Sequence, residues 1–369
     1  MTAHPSAGQP VPRSVAALAA ATPANRDRVV DLVRAIAVTV VVVWHTTLSL
    51  LYVDAGRLVM RNPIDVVPGM WALTWALQVM PVFFVVGGYV HLLAWRSTPA
   101  TGAFLRRRAR RPGRPLVPFV GLWAVAEVGL LLAGRPPLIV TAPALFTPLW
   151  FLVVYAAVAA AVPLTARWHD RWGVKVVITG AGLLVVLDVL RLGGVALAGV
   201  VTTALVWLLC HQLGYLWRDG VVHGHRQGLL LAAGAVVGLA LLTGPGPYAP
   251  SMVASVAHES NMLPTTPPIL LVGVLQLGVV LALHAPLARL MQRPRWWRPV
   301  VAVNALAMSI YLWHMAAVLM LVVLAEPAVG PLATRPDAAW WWSRPVWLAA
   351  VLVVQLGLLA GVRRWEVPR

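Results

Sequence analysis

The chain has 369 residues, of which 60% are hydrophobic and only 11% charged, and its mean hydropathy is +0.80. Soluble chains carry about 25% charged and 45–50% apolar residues, so these values exclude disorder and argue against an ordinary soluble globule. Lys and Arg number 29 against 12 Asp and Glu, a net charge of +17. In a soluble domain that excess would suggest nucleic acid, but along an apolar chain its meaning depends on where the cations fall.

The chain opens with a Pro/Ala/Gly-rich polar stretch, and residues 1–28 are expected to form a disordered cytoplasmic tail. Crossing about 30 Å of hydrocarbon at 1.5 Å per residue takes roughly 20 apolar residues. Ten such runs follow, at approximately 29–51, 67–93, 115–133, 147–164, 174–190, 197–217, 228–243, 267–288, 300–325 and 346–362. The fifth ends near Asp188 and the seventh is short. The fold class is therefore an all-α polytopic membrane protein with one transmembrane domain over residues 29–363 and a short cytoplasmic tail at 364–369. Cytoplasmic loops carry excess Lys and Arg. With ten spans, 22 of the 29 cations fall in the two tails and alternate loops, counting Lys175 at the edge of the fifth run with its loop, six fall in the other loops, and Arg34 lies inside a span. That partition predicts both termini inside. Trp95, Trp168, Trp172, Trp217, Trp296, Trp297 and Trp365 then sit at inner edges, and Trp340, Trp341, Trp342 and Trp347 at an outer one, as interfacial anchoring requires.

Ionisable groups in hydrocarbon are costly, so each one within a span is a functional candidate. The first span carries Asp31, Arg34 and His45. Eleven residues at 100° each end only 20° past three turns, so Arg34 and His45 share a helix face about 16 Å apart. Asp31 lies one turn before Arg34. Either these two form an ion pair at the membrane edge, with Arg34 snorkelling, or they make an anion-binding end. His45 is either a buried neutral ring or a reactive one. His314 in the ninth span lies at a similar depth, so the two histidines either flank one cavity or make unrelated contacts.

Glu127 in the third span reads as a group that orients a histidine or as a protonated carboxyl bonded to a neighbouring helix. His211, Gln212 and His284 read as interface contacts, and Gln78, Gln276 and Gln355 as bonds between helices. His258 and Glu259 occupy a long outer loop, 244–266, without Lys or Arg. Between the second and third spans runs FLRRRARRPGRPLVPF, with Arg106, Arg107, Arg108, Arg110, Arg111 and Arg114. Guanidinium forks suit phosphate, and the same charge also serves orientation and attraction to anionic lipid. The lone Cys210 forms no intramolecular disulfide, and no metal-ligand spacing occurs, so no metal is expected. No P-loop, strand-linked GxGxxG, HExxH or GxSxG is present, which argues against an ATP-driven pump, a nicotinamide enzyme, a zinc protease and a serine hydrolase of ordinary type.

In order along the chain, DLVR followed by ten residues and His (Arg34, His45), MPVFFVVGGY (80–89), the arginine-rich stretch, PLWFL (148–152), HQLGYLWR (211–218) and SIYLWH (309–314) together resemble acyltransferase family 3. Gly87 stands where the family often has Ser, and Pro148-Leu149 lacks a His that often precedes LWF. The resemblance implies an integral-membrane O-acyltransferase of the cell membrane. Its donor would be cytoplasmic acyl-CoA, acetyl-CoA most simply, and its acceptor a hydroxyl of a carbohydrate, envelope glycan or secreted small molecule, with the lipid bilayer as surroundings and no nucleic-acid partner. On that reading His45 is the general base or the site of a covalent acyl relay, Asp31 holds Arg34, and His314 orients the acceptor or stabilises the oxyanion. Arg34 with Arg107, Arg108, Arg110, Arg111 and Arg114 binds the donor, and Glu127, Trp150, Phe151 and Tyr311 line the pocket. The alternative from the residues alone is a multi-pass transporter or lipid permease with the histidines as proton relays.

Overall fold

The computed structural model describes residues 14–98, 100–253, 261–329 and 332–366. His258 and Glu259 of the expected outer loop lie outside the described residues. In chain order the helices are α1 (Val15–Ala20), α2 (Arg28–Thr47), α3 (Leu73–Leu77), α4 (Met80–Ser97), α5 (Thr101–Leu132), α6 (Leu138–Thr141), α7 (Thr147–Trp172), α8 (Lys175–Leu192), α9 (Ala196–Arg218), α10 (Gly224–Thr243), α11 (Pro267–Met291), α12 (Pro294–Val329) and α13 (Ala338–Glu366). An antiparallel hairpin, β1 (Leu50–Asp54) with β2 (Arg57–Arg61), separates α2 from α3 and pairs Leu50 with Arg61.

Among the described residues nine helices are long and apolar enough to cross a membrane. The remaining expected span, α8, is a helix of 18 residues set apart by Lys175, Asp188 and Arg191. The buried Asp188 pairs with Arg191 at 2.6 Å and accepts from the hydroxyl of Tyr248, so two of those charges are neutralised at one helix end.

Three further features depart from expectation. Residues 14–27, expected to belong to a disordered tail, are ordered against α12. Ser14 caps α1, Ala19 packs with Trp297 and Val300, Trp297 donates to Thr22 at 3.1 Å, and Arg28 stacks over the Trp297 ring. The arginine-rich stretch is helical, because α5 begins at Thr101 and Arg, Ala and Leu are good helix formers. The second span is broken at Gln78 and Val79, between α3 and α4. The glutamines expected to link helices serve that break. Gln276 accepts from the Val82 amide and donates to the Gln78 carbonyl, and Gln78 accepts from the Met80 amide. Unpaired backbone groups in hydrocarbon cost several kcal/mol each, so these side chains allow the bend.

Helices α4 and α9 touch backbone to backbone. A Cβ on Gly88 would collide with the His211 carbonyl, and one on Gly214 with the Val85 carbonyl. Only glycine permits that approach. Helix α2 packs against α4, α11, α12 and α13, which puts its polar face at the centre of the bundle.

Candidate active site

His45 and His314 meet across the α2/α12 contact. Nδ1 of His45 lies 3.1 Å from Nε2 of His314, with the rings near-parallel at 5.3 Å. His314 is fully buried, and its Nδ1 lies 2.6 Å from the carbonyl oxygen of Tyr311. A carbonyl only accepts, so Nδ1 of His314 carries the proton and, in the neutral ring, Nε2 is a lone pair. His45 therefore donates from Nδ1, and its Nε2 keeps a lone pair. The half-buried His45 thus has the tautomer of a base. Both nitrogens of His314 are engaged within the protein. It positions His45 and has no nitrogen left to orient an acceptor or hold an oxyanion, as had been expected of it.

Neighbouring helices fix this pair. Trp347 of α13 donates to the Thr46 carbonyl at 2.7 Å, next to His45, and Gln355 donates to the Ile310 carbonyl at 2.9 Å. The Tyr311 hydroxyl donates to the Pro148 carbonyl at 3.0 Å, tying α12 to the start of α7.

At the other end of the α2 face, Asp31 is bound bidentately by Arg26, at 2.5 and 2.8 Å. Asp31 was expected to hold Arg34, but its carboxylate goes to Arg26, which the ordered chain before α2 brings alongside. Arg34 donates from Nε to Oδ1 of Asn304 at 2.7 Å, and Nδ2 of Asn304 donates to the Asp31 carbonyl at 2.8 Å. The link from Asp31 to Arg34 thus runs through a residue of α12.

Between the two ends lies a cavity of about 640 Å³. Arg34, Arg108, Arg114, His91 and Asn304 line it, with Val41, Phe83, Phe151, Tyr155 and Tyr311 among its apolar and aromatic walls. No carboxylate is among its described walls. Val41 and Tyr311, which line the cavity, lie about one helical turn before His45 and His314, so its wall stops about a turn short of the histidine pair.

Of the other expected site residues, Phe151 and Tyr311 line this cavity. Trp150 does not. It is 37% exposed, because adjacent helical residues point about 100° apart and Phe151 takes the inward direction. Glu127 is also elsewhere, accepting from the Leu138 and Ile139 amides at 2.9 and 2.8 Å. There it supplies the N-terminal acceptors that α6 lacks after Pro137. Arg107 donates to Thr98 at 3.2 Å and Arg110 is exposed. The side chain of Arg111 lies outside the described residues. His284, expected as an interface contact, bonds Asp27 at 3.0 Å.

Acyltransferase family 3, described as an acyltransferase domain, matches residues 27–365, nearly the whole chain. The chain belongs to that family. No curated protein and no solved structure gives a match. The protein is thus an acyltransferase of membrane type. Its site contains three residues that the sequence reading passed over, Asn304, His91 and Tyr155. The first two are polar residues inside apolar spans, the same signal that singled out His45.

Proposed function

We propose that this acyltransferase takes an acyl group, acetyl most simply, from cytoplasmic acyl-CoA and transfers it to a hydroxyl of a carbohydrate, envelope glycan or secreted small molecule, in the cell membrane with both termini inside. The observation that carries the reading is the cavity, with three arginines and no carboxylate in its described walls. Those walls suit a polyanion with a long apolar arm. CoA has that form, and Arg34 lies about 16 Å by helix rise from His45. Arg34, Arg108 and Arg114 hold the phosphates, while the arm runs past Phe83 and Phe151 to bring the thioester to His45.

At that end Nε2 of His45 accepts the proton of the acceptor hydroxyl as its oxygen attacks the thioester carbon. The C–S bond breaks, and the departing thiolate takes the proton back from His45, leaving an ester and CoA. His314 keeps the tautomer in place, and the Tyr311 carbonyl keeps His314 in place. Wild-type protein in isolated membranes should transfer label from acetyl-CoA to a hydroxyl acceptor without an ion gradient. Label transfer absent with acyl-CoA donors of every chain length tested would overturn the choice of donor.

A further inference from the structure

A second histidine pair lies beside the arginine end of the cavity, and the transfer chemistry does not use it. His91 of α4 faces His211 of α9 with Nδ1 and Nε2 3.0 Å apart. Both rings are almost wholly buried. The pair exists because Gly88 and Gly214 let the two helices touch. Nε2 of His91 is 3.4 Å from the hydroxyl of Tyr155, whose ring rests against Gly87. His91, Tyr155 and Arg108 all line the cavity.

Among the described residues, the titratable and charged groups facing the pair are Tyr155 from α7, Tyr215 from α9 and Arg108 from α5. Behind Tyr215 stand His169, Asp219 and Arg96. Arg34 and Arg114 line the same cavity. Every charged group among its described walls is thus cationic. Along α4, His91 lies six residues before Ser97, and along α2, Arg34 lies six after Arg28. Both are therefore about 9 Å from the matching helix ends, at one level of the bundle.

Two imidazoles joined N to N need one N–H and one lone pair between them, so the pair has room for one further proton without breaking its bond. The outer nitrogen of His91 faces the Tyr155 hydroxyl, which can donate or accept. We propose that His91, backed by His211 and Tyr155, forms with Arg108 a phosphate-binding station, and that the pair takes up one proton from solution when a phosphate enters. The phosphate is the donor's diphosphate head. This rests on the reading of acyl-CoA as donor. The station then makes donor binding tighter at lower pH.

The test is calorimetric titration of CoA into purified protein in a phosphate-free maltoside detergent, in buffers of different ionisation enthalpy. Wild type should take up close to one proton per CoA, and its Kd should rise by up to about tenfold per pH unit on the alkaline side of the pair's titration. His91→Asn should lose the uptake and flatten the slope. No proton uptake in wild type overturns the proposal whatever the variants do, and uptake equal in wild type and His91→Asn overturns it as well. Tyr155→Phe, which removes one oxygen, should weaken CoA binding while leaving acyl-pantetheine unchanged. Equal losses for both ligands would mean a purely structural role and also overturn it. A short-chain phosphatidylglycerol arm separates lipid phosphate from CoA, since uptake with the lipid and none with CoA refutes the assignment. CoA binding with proton uptake but no acyl transfer would sink the donor reading and leave the station standing. Transfer without uptake would do the reverse.

Discussion

The two imidazole pairs inside this protein have nearly the same contact, 3.1 Å for His45 with His314 and 3.0 Å for His91 with His211. They differ in what lies beyond. The first chain ends on a backbone carbonyl, that of Tyr311. The second runs on to the hydroxyl of Tyr155. A carbonyl accepts only, so every proton in the first chain has a set direction and His45 presents a lone pair. A hydroxyl donates or accepts, so the Tyr155 contact by itself sets no direction in the second chain. The same side-chain pair therefore has a set direction of hydrogen bonding where His45 meets His314, while the contact of His91 with a hydroxyl sets none.

The largest test of that contrast is His45→Ala. Removing a general base costs about 10²–10⁴-fold in rate, so kcat in membranes supplied with labelled acetyl-CoA should fall by that amount while KM for the donor stays near its wild-type value. Full activity in a normally inserted variant would end the contrast. His314→Ala should cost less, about 10–100-fold in kcat, since the base remains but its tautomer is no longer imposed. A loss as large as that of His45→Ala would mean that His314 takes part directly.

Asn304→Leu probes the arginine end. Without its carbonyl oxygen Arg34 loses its 2.7 Å partner, and donor KM should rise by about tenfold, equivalent to ~1.4 kcal/mol, with kcat little changed. A fall in kcat alone would place Asn304 with the reacting groups.

The smallest effect concerns the C-terminal ends of α4 and α9, the helices that bear the second pair. Arg96 bonds Asp219 at 2.5 Å, and His169 approaches the same carboxylate at 3.2 Å. The Arg96 hydrogen bond holds Asp219 below the ordinary carboxylate value of 3.8. A carboxylate lowered on folding contributes stability that is present above its unfolded value and lost as pH falls through the folded one. Asp219→Asn should thus lower the thermal midpoint at neutral pH, with the difference shrinking below about pH 4. Donor affinity should be unmoved. A change in CoA binding of the size expected for His91→Asn would show that the clamp and the histidine pair act together.

Much of the site was legible where its geometry is local. Arg34 and His45 share one helix, so the α-helical repeat alone set their common face. The depth of His314 followed from counting residues along its span, but its contact with His45 depends on how α12 packs on α2. Glu127 and Trp150 mark the limit of such counting. A carboxyl at mid-depth goes to the nearest unpaired amides, and those belong to α6, which begins only because Pro137 breaks the chain. Trp150 and Phe151 stand side by side in sequence, yet a helix turns only one of them inward. The arginine-rich stretch was expected as a connection between two spans, whereas α5 carries it, prolines included, within one helix.

Sequence alone determined the membrane class, the main helices, the family and the Arg34/His45 face, because hydrophobic run length and helical period are properties of consecutive residues. Tertiary structure alone decided the proton's place on His45, Asn304 as the bridge between Asp31 and Arg34, and the pairing of His91 with His211. Each of those is a hydrogen bond between helices far apart in the chain. Its existence rests on close approach, such as the contact that Gly88 and Gly214 allow, which no single stretch of sequence encodes.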